Sequence, residues 1–252
     1  MKIKIHMIFL LLGMSIAFQS NAALSLDRSR LILNGNEESA EITVTNNDIK
    51  SPYLIHSWVE NANGEKISEP LVALPPIQRI EAGNKTLIRV RALTNKQNLP
   101  QDRESLFFLN IREIPPKSNN KNAVRFALQT RIKIFYRPEN IAIRKSELAT
   151  PGAKNITILQ KNNKIEIKNP TNYNINMVAI KYDNKVLHDF NPIVIPPKDS
   201  YKIDIPNNTK IKRPIISIIN DYGSSINISF LCTNKICNVD NINHKSNENV
   251  NN

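Results

Sequence analysis

Apolar and polar residues alternate along much of this chain. Ala40-Ile42-Val44, Ile88-Val90-Ala92 and Val124-Phe126-Leu128 each place apolar side chains at every second position. That spacing lines one face of a β-strand. Shorter runs of the same kind recur at Ile156-Ile158, Ile165-Ile167, Ile203-Ile205 and Ile226-Ile228. β-Branched residues dominate them and suit a pleated, half-buried surface. Asn34-Gly35, Asn63-Gly64 and scattered prolines punctuate the runs with turn chemistry. Helical periodicity is nearly absent. Many short strands between turns predict an all-β protein built from sandwiches rather than α/β units.

Both ends depart from the pattern. Lys2 and Lys4 precede an apolar run, Met7 to Phe18, and Ser20-Asn21-Ala22 supplies small residues at the −3 and −1 positions of a cleavage site. The run is shorter than the ~20 residues a bilayer span needs. Residues 1–22 therefore read as a cleaved export signal, and no later segment reads as a span. From Asn241 the chain is Asn-rich and polar, which predicts a disordered tail over 241–252. Between these ends, alternation breaks after Phe135-Tyr136-Arg137-Pro138 and resumes beyond Lys154. This divides the chain into domains at 23–142 and 143–240, each near the size of one immunoglobulin-like sandwich.

Composition adds exclusions. The 252 residues are 40% hydrophobic and 22% charged, which is globular and sufficient for a real core. The net charge of +12 raises nucleic acid as a partner. Export argues against that, and so does the spread of Lys and Arg along strands without clustered aromatics. Beyond His6 the histidines are His56, His188 and His244, none at ligand spacing. HExxH, CxxC, GxSxG, Walker and GxGxxG patterns do not occur. No catalytic residue, cofactor or metal site is expected. Export places Cys232 and Cys237 in an oxidising compartment, where a hairpin disulfide is favoured; a metal corner would lack two of its four ligands. Arg30 and Lys133 stand out because each falls among apolar strand residues. Two readings stay open at this point: ordinary surface charge, or cations of a cleft, which can capture a carboxylate by charge-assisted hydrogen bonds.

Five segments then resemble one family. Ala23 to Arg30 (ALSLDRSR) is similar to the mature start of the periplasmic pilus chaperones. Leu99 to Pro115 (LPQDRESLFFLNIREIP) resembles their signature segment, and Ala127 to Pro138 (ALQTRIKIFYRP) the strand and hinge that follow. Ile219 to Gly223 (INDYG) and Ser229 to Cys237 (SFLCTNKIC) carry the resemblance into the second half. It weakens between about Thr150 and Lys210. The segment from Ile114 to Ala123 is short and lacks Cys, as in the branch of the family serving rod-like pili.

The resemblance implies two immunoglobulin-like sandwiches set at an angle around a cleft. It also implies a non-enzymatic function. Such chaperones lend a strand to pilus subunits whose own sandwich is one strand short, and deliver them to an outer-membrane usher. The lending residues would be Val124, Phe126 and Leu128, with Ile132 continuing the same face. Arg30 and Lys133 would anchor the subunit's C-terminal carboxylate. Glu104, Arg137 and Asp221 would form an interdomain charge network, and Pro52 and Pro75 would border and cover the binding edge. An exposed apolar strand also makes self-association of the free protein an expectation. The alternative is a structural fimbrial subunit or Ig-like adhesin. Such a subunit would carry its donor segment at the N-terminus and one incomplete sandwich. Here the donor-like alternation lies mid-chain, followed at once by the hinge. A secreted hydrolase on the same scaffold lacks a nucleophile and base.

Overall fold

The computed structural model describes residues 23–117, 124–143, 150–161, 163–182, 185–187, 190–205 and 211–244. The expected export signal, His188 and residues 245–252 lie outside the described residues. Strands account for almost all regular structure. The N-terminal half carries β1 (Leu24–Leu26), β2 (Arg30–Asn34), β3 (Ser39–Asn46), β4 (Tyr53–Glu60), β5 (Lys66–Ile67), β6 (Leu71–Leu74), β7 (Ile77–Ile80), β8 (Lys85–Ala92), β9 (Ser105–Ile114) and β10 (Gln129–Arg137). The C-terminal half carries β11 (Thr157–Lys161), β12 (Lys164–Asn169), β13 (Ile175–Tyr182), β14 (Lys185–Val186), β15 (Ile193–Ile195), β16 (Asp199–Asp204), β17 (Ile215–Ile219), β18 (Ser225–Thr233) and β19 (Ile236–His244).

The N-terminal strands form two sheets, β1-β3-β8-β6 and β2-β10-β9-β4-β5, with β7 added to β4. Alternation becomes a shared interior. Ile42 and Val44 of β3 and Ile88 and Val90 of β8 meet Leu31, Leu33, Ile55, Val59, Leu109 and Ile134 of the facing sheet. In the C-terminal half, hydrogen bonding runs along one path, β14-β13-β17-β18-β19-β11-β12-β16, with β15 on β13. Its Ile-rich strands bury one further core, which includes Ile158, Ile165, Ile167, Ile216, Ile226 and Ile228.

Each domain also buries an asparagine that ties turns to strands. Asn46 is fully buried and its Nδ2 donates to the carbonyls of Ser51, Ile80 and Glu81. In the second domain Asn169 Nδ2 donates to the carbonyls of Tyr173, Ile195 and Pro196. A buried amide is tolerable only when its polar atoms are matched in this way. Nothing in the alternation pattern signals these two positions.

Cys232 and Cys237 face each other across the β18–β19 hairpin and are joined as a disulfide. Asn234 takes the left-handed conformation (φ 58°) that the tight connection needs. The expected tail is shortened. β19 continues through His244, pairing Asn241 with Ser229 and His244 with Ile226. The reason is Ile242, which packs against the second core from within the Asn-rich stretch. A chain truncated after Asp240 should therefore be about 1–2 kcal/mol less stable than one truncated after His244, as read by urea unfolding. Equal midpoints would show that the last turn of pairing contributes nothing.

Candidate functional site

β10 is paired unequally on its two sides. β9 runs antiparallel beside it from Gln129 to Tyr136. On the other side β2 runs parallel and joins only at Lys133, opposite Arg30. Backbone groups of Gln129 to Ile132 on that side face an open sheet edge. Ahead of them Val124, Phe126 and Leu128 are 79%, 78% and 51% exposed. Ile132, of the same parity, behaves differently: it is buried with Ile134 and Tyr136 in the N-terminal core. The apolar alternation thus passes from solvent into the interior within a few residues. The exposed set consists of Val124, Phe126 and Leu128, and Ile132 anchors the strand beneath them.

Arg30 and Lys133 stand side by side where the edge ends. Arg30 is buried; its Nη1 donates to the Ile219 carbonyl of the second domain at 3.2 Å, while its Nε has no partner. No carboxylate of the described residues lies within ion-pair distance of either cation. Burial pushes the Lys133 ammonium below the ordinary lysine value, and the positive charges of Arg30 and Arg131 push it further. Burial also lowers Arg30, against the pull of Asp221. Two half-desolvated cations with an orphaned N–H and no ion-pair partner among the described residues form a site suited to an anion.

Two turns of the pleat further along the same face, Arg137 is enclosed. Its Nη2 lies 2.7 Å from Glu104 Oε1 and 2.9 Å from Asp221 Oδ2. Glu104 Oε2 accepts from the Asn174 backbone N–H at 2.8 Å and its side-chain amide at 3.1 Å. The structure therefore brings Glu104, Arg137 and Asp221 together across the domain junction. It adds members that carried no sequence signal. The Glu104 N–H donates to the Asn172 carbonyl, and Tyr173 Oη donates to the Ile141 carbonyl. Burial raises the Glu104 carboxyl against the pull of Arg137 and Asn174. Burial would lower Arg137, but Glu104 and Asp221 hold its guanidinium charged and raise it.

Pro52 directly precedes β4, and Pro75 follows β6 with its carbonyl accepting from Ser57 Oγ of β4. In sheet order β9 separates β4 from β10. Among the described residues no group of three His, Cys, Asp or Glu is placed to hold a metal, and no helix is long and apolar enough to cross a membrane.

The class these features define is a two-domain β-sandwich protein with one strand left half-paired beside a cationic site. Residues 23–142 match the pili and flagellar-assembly chaperone family, PapD N-terminal domain, and residues 151–230 match the pili assembly chaperone PapD, C-terminal domain. The chain belongs to the PapD family of pilus assembly chaperones, and its function is that of a non-enzymatic chaperone of pilus assembly. It is 39% identical to the chaperone protein PmfD of Proteus mirabilis, over 91% of each chain. It is 37% identical to the chaperone protein PapD of Escherichia coli, over 87% of this chain and 91% of that protein. Among solved structures, the periplasmic chaperone SfaE is 32% identical with a TM-score of 0.63, covering 80% of this chain and 95% of that one. SafB in its complex with the SafA pilin from Salmonella enterica shares the fold, with a TM-score of 0.71 at 21% identity, over 84% and 97% of the two chains.

Arg137→Ala would leave Glu104 buried with its cation gone. A loss on the order of 3–5 kcal/mol is expected, measured by urea unfolding against the wild type. A loss under about 1 kcal/mol, the worth of a surface pair, would mean that the network is solvated in solution.

Proposed function

We propose that the chain works in the periplasm as a donor-strand chaperone. After export on residues 1–22, it holds pilus subunits by lending them Val124, Phe126 and Leu128 and hands them to an outer-membrane usher. One observation carries the reading: an exposed apolar alternation leads into the half-paired start of β10, whose open edge ends at two cations with no ion-pair partner among the described residues. A subunit missing a strand exposes a groove lined by unpaired backbone and apolar pockets. An added strand supplies backbone pairing for affinity and alternate side chains for specificity.

The geometry also gives direction. Residues 124–132 lie N-terminal to Lys133. A partner strand whose C-terminal carboxylate sits at Arg30 and Lys133 therefore runs parallel to β10. Anchoring that carboxylate sets register, because a slip of one residue would turn every lent side chain away from its pocket. Ile132 serves from below, holding the strand on the N-terminal core while its neighbours upstream are lent. Self-association of the free protein would use the same exposed residues, so a bound subunit would suppress it.

Arg30→Ala and Lys133→Ala should each cost on the order of 2–5 kcal/mol of subunit binding. Co-purification of a pilin from the same fimbrial system from periplasm, with circular dichroism of the purified variants, checks this. Folded variants that keep the pilin as well as wild type does would exclude carboxylate anchoring. Affinity should also depend on pH. A carboxylate favours charged Lys133, so binding is full at neutral pH and is lost as pH rises through the depressed lysine value, before the ordinary 10.5. Lys133→Arg should carry the affinity to higher pH. If both proteins lose the pilin at the same pH, Lys133 is not the titrating group.

A further inference from the structure

Register on β10 has a second way to fail. A slip of one residue inverts the faces and is penalised by every apolar side chain. A slip of two residues keeps the faces and moves each side chain only to the next pocket. Apolar patterning therefore discriminates poorly against it. The burden falls on the carboxylate anchor, and here the sequence contains a competitor. Arg131 lies two residues before Lys133 on the same face, ~7 Å along the strand. A carboxylate bound there would fix the slipped register.

The structure takes Arg131 out of competition. Its Nε donates to Glu60 Oε2 at 2.8 Å, and its guanidinium carbon stacks 3.3 Å from the centre of the Phe108 ring. Glu60 is itself held, since Trp58 Nε1 donates to its other oxygen at 3.0 Å. Glu60 stands in the same cross-strand row as Phe108 and Lys133. Even so, its ion pair goes diagonally to Arg131, while Lys133 has no such partner among the described residues. We infer that Glu60 is a positioning residue for strand register: by neutralising Arg131 it leaves Lys133, with Arg30 of β2 opposite it, as the cations on this edge without an ion-pair partner among the described residues, so a subunit's carboxylate docks there and not two residues early. This rests on the donor-strand reading above and adds to it a determinant of fidelity.

The test is disulfide trapping on the full chain. The probe is a ten-residue peptide of alternating Val and Ser with a free C-terminal carboxylate. It carries one cysteine that meets position 127 when the carboxylate lies at Lys133, and position 125 after a slip of two. Ala127→Cys and Arg125→Cys report the two registers from the face opposite the lent side chains. With Glu60 present, trapping should favour position 127. E60Q should raise the share trapped at position 125 by about tenfold. Adding Arg131→Ala should reverse that gain, and a C-terminally amidated peptide should show none. Glu60→Asp, too short to reach Arg131, gives the same readout should E60Q fail to fold. Unchanged shares in folded E60Q would overturn the role of Glu60 and leave donor-strand binding intact. Trapping at neither position in the Glu60 protein would overturn the donor-strand reading, and this inference with it.

Discussion

The parallel pairing of β2 with β10 begins at Arg30 and Lys133, and most of the molecule's behaviour follows from where it begins. Beyond that point β10 has a neighbour on both sides, and Ile134 and Tyr136 are interior. Before it the strand is bonded to β9 alone, and the apolar side chains just upstream, Val124, Phe126 and Leu128, lie in solvent. One continuous strand is therefore both a structural member and an unfinished edge. Long apolar edges are an aggregation hazard that most proteins blunt. A chaperone of this family retains one, at a position where the strand's other half is firmly held.

The same strand carries the domain junction. Lys133 and Arg137 share one face of β10, so the cation pair and the buried Glu104–Arg137–Asp221 cluster are rigidly linked. Buried ion clusters add little net stability, because desolvation offsets most of the attraction. What this one supplies is position. Glu104 is bonded to the 172–174 loop of the second domain, and Arg30 reaches the Ile219 carbonyl of the same domain. The cation pair is thus framed by both domains and depends on how they meet.

Charge along β10 is graded by its partners. Arg131 is neutralised by Glu60, Arg137 by two carboxylates, and the pair between them is left without a counter-ion among the described residues. Arg131, Lys133 and Arg137 share one face of β10 and would otherwise present similar targets. Their difference comes from Glu60 of β4 and from Glu104 and Asp221 in loops, not from β10 itself.

Alternation and turn residues determine which segments are strands, because period two is a local property of the chain. They also determine the all-β class, and the Cys232–Cys237 spacing permits a hairpin bridge once export is granted. The family-like segments named Arg30, Lys133, Glu104, Arg137 and Asp221 in advance. Other features had no local signal. Asn46 and Asn169 read as ordinary polar residues until the turns that use them are folded around them. Ile242 is hidden in an Asn-rich stretch that composition assigns to a tail. Phe126 and Ile132 have the same parity and similar hydrophobicity, yet one is exposed and the other buried. Periodicity states which side chains share a face. Whether that face is covered depends on where a distant strand starts, and only the tertiary structure decides that.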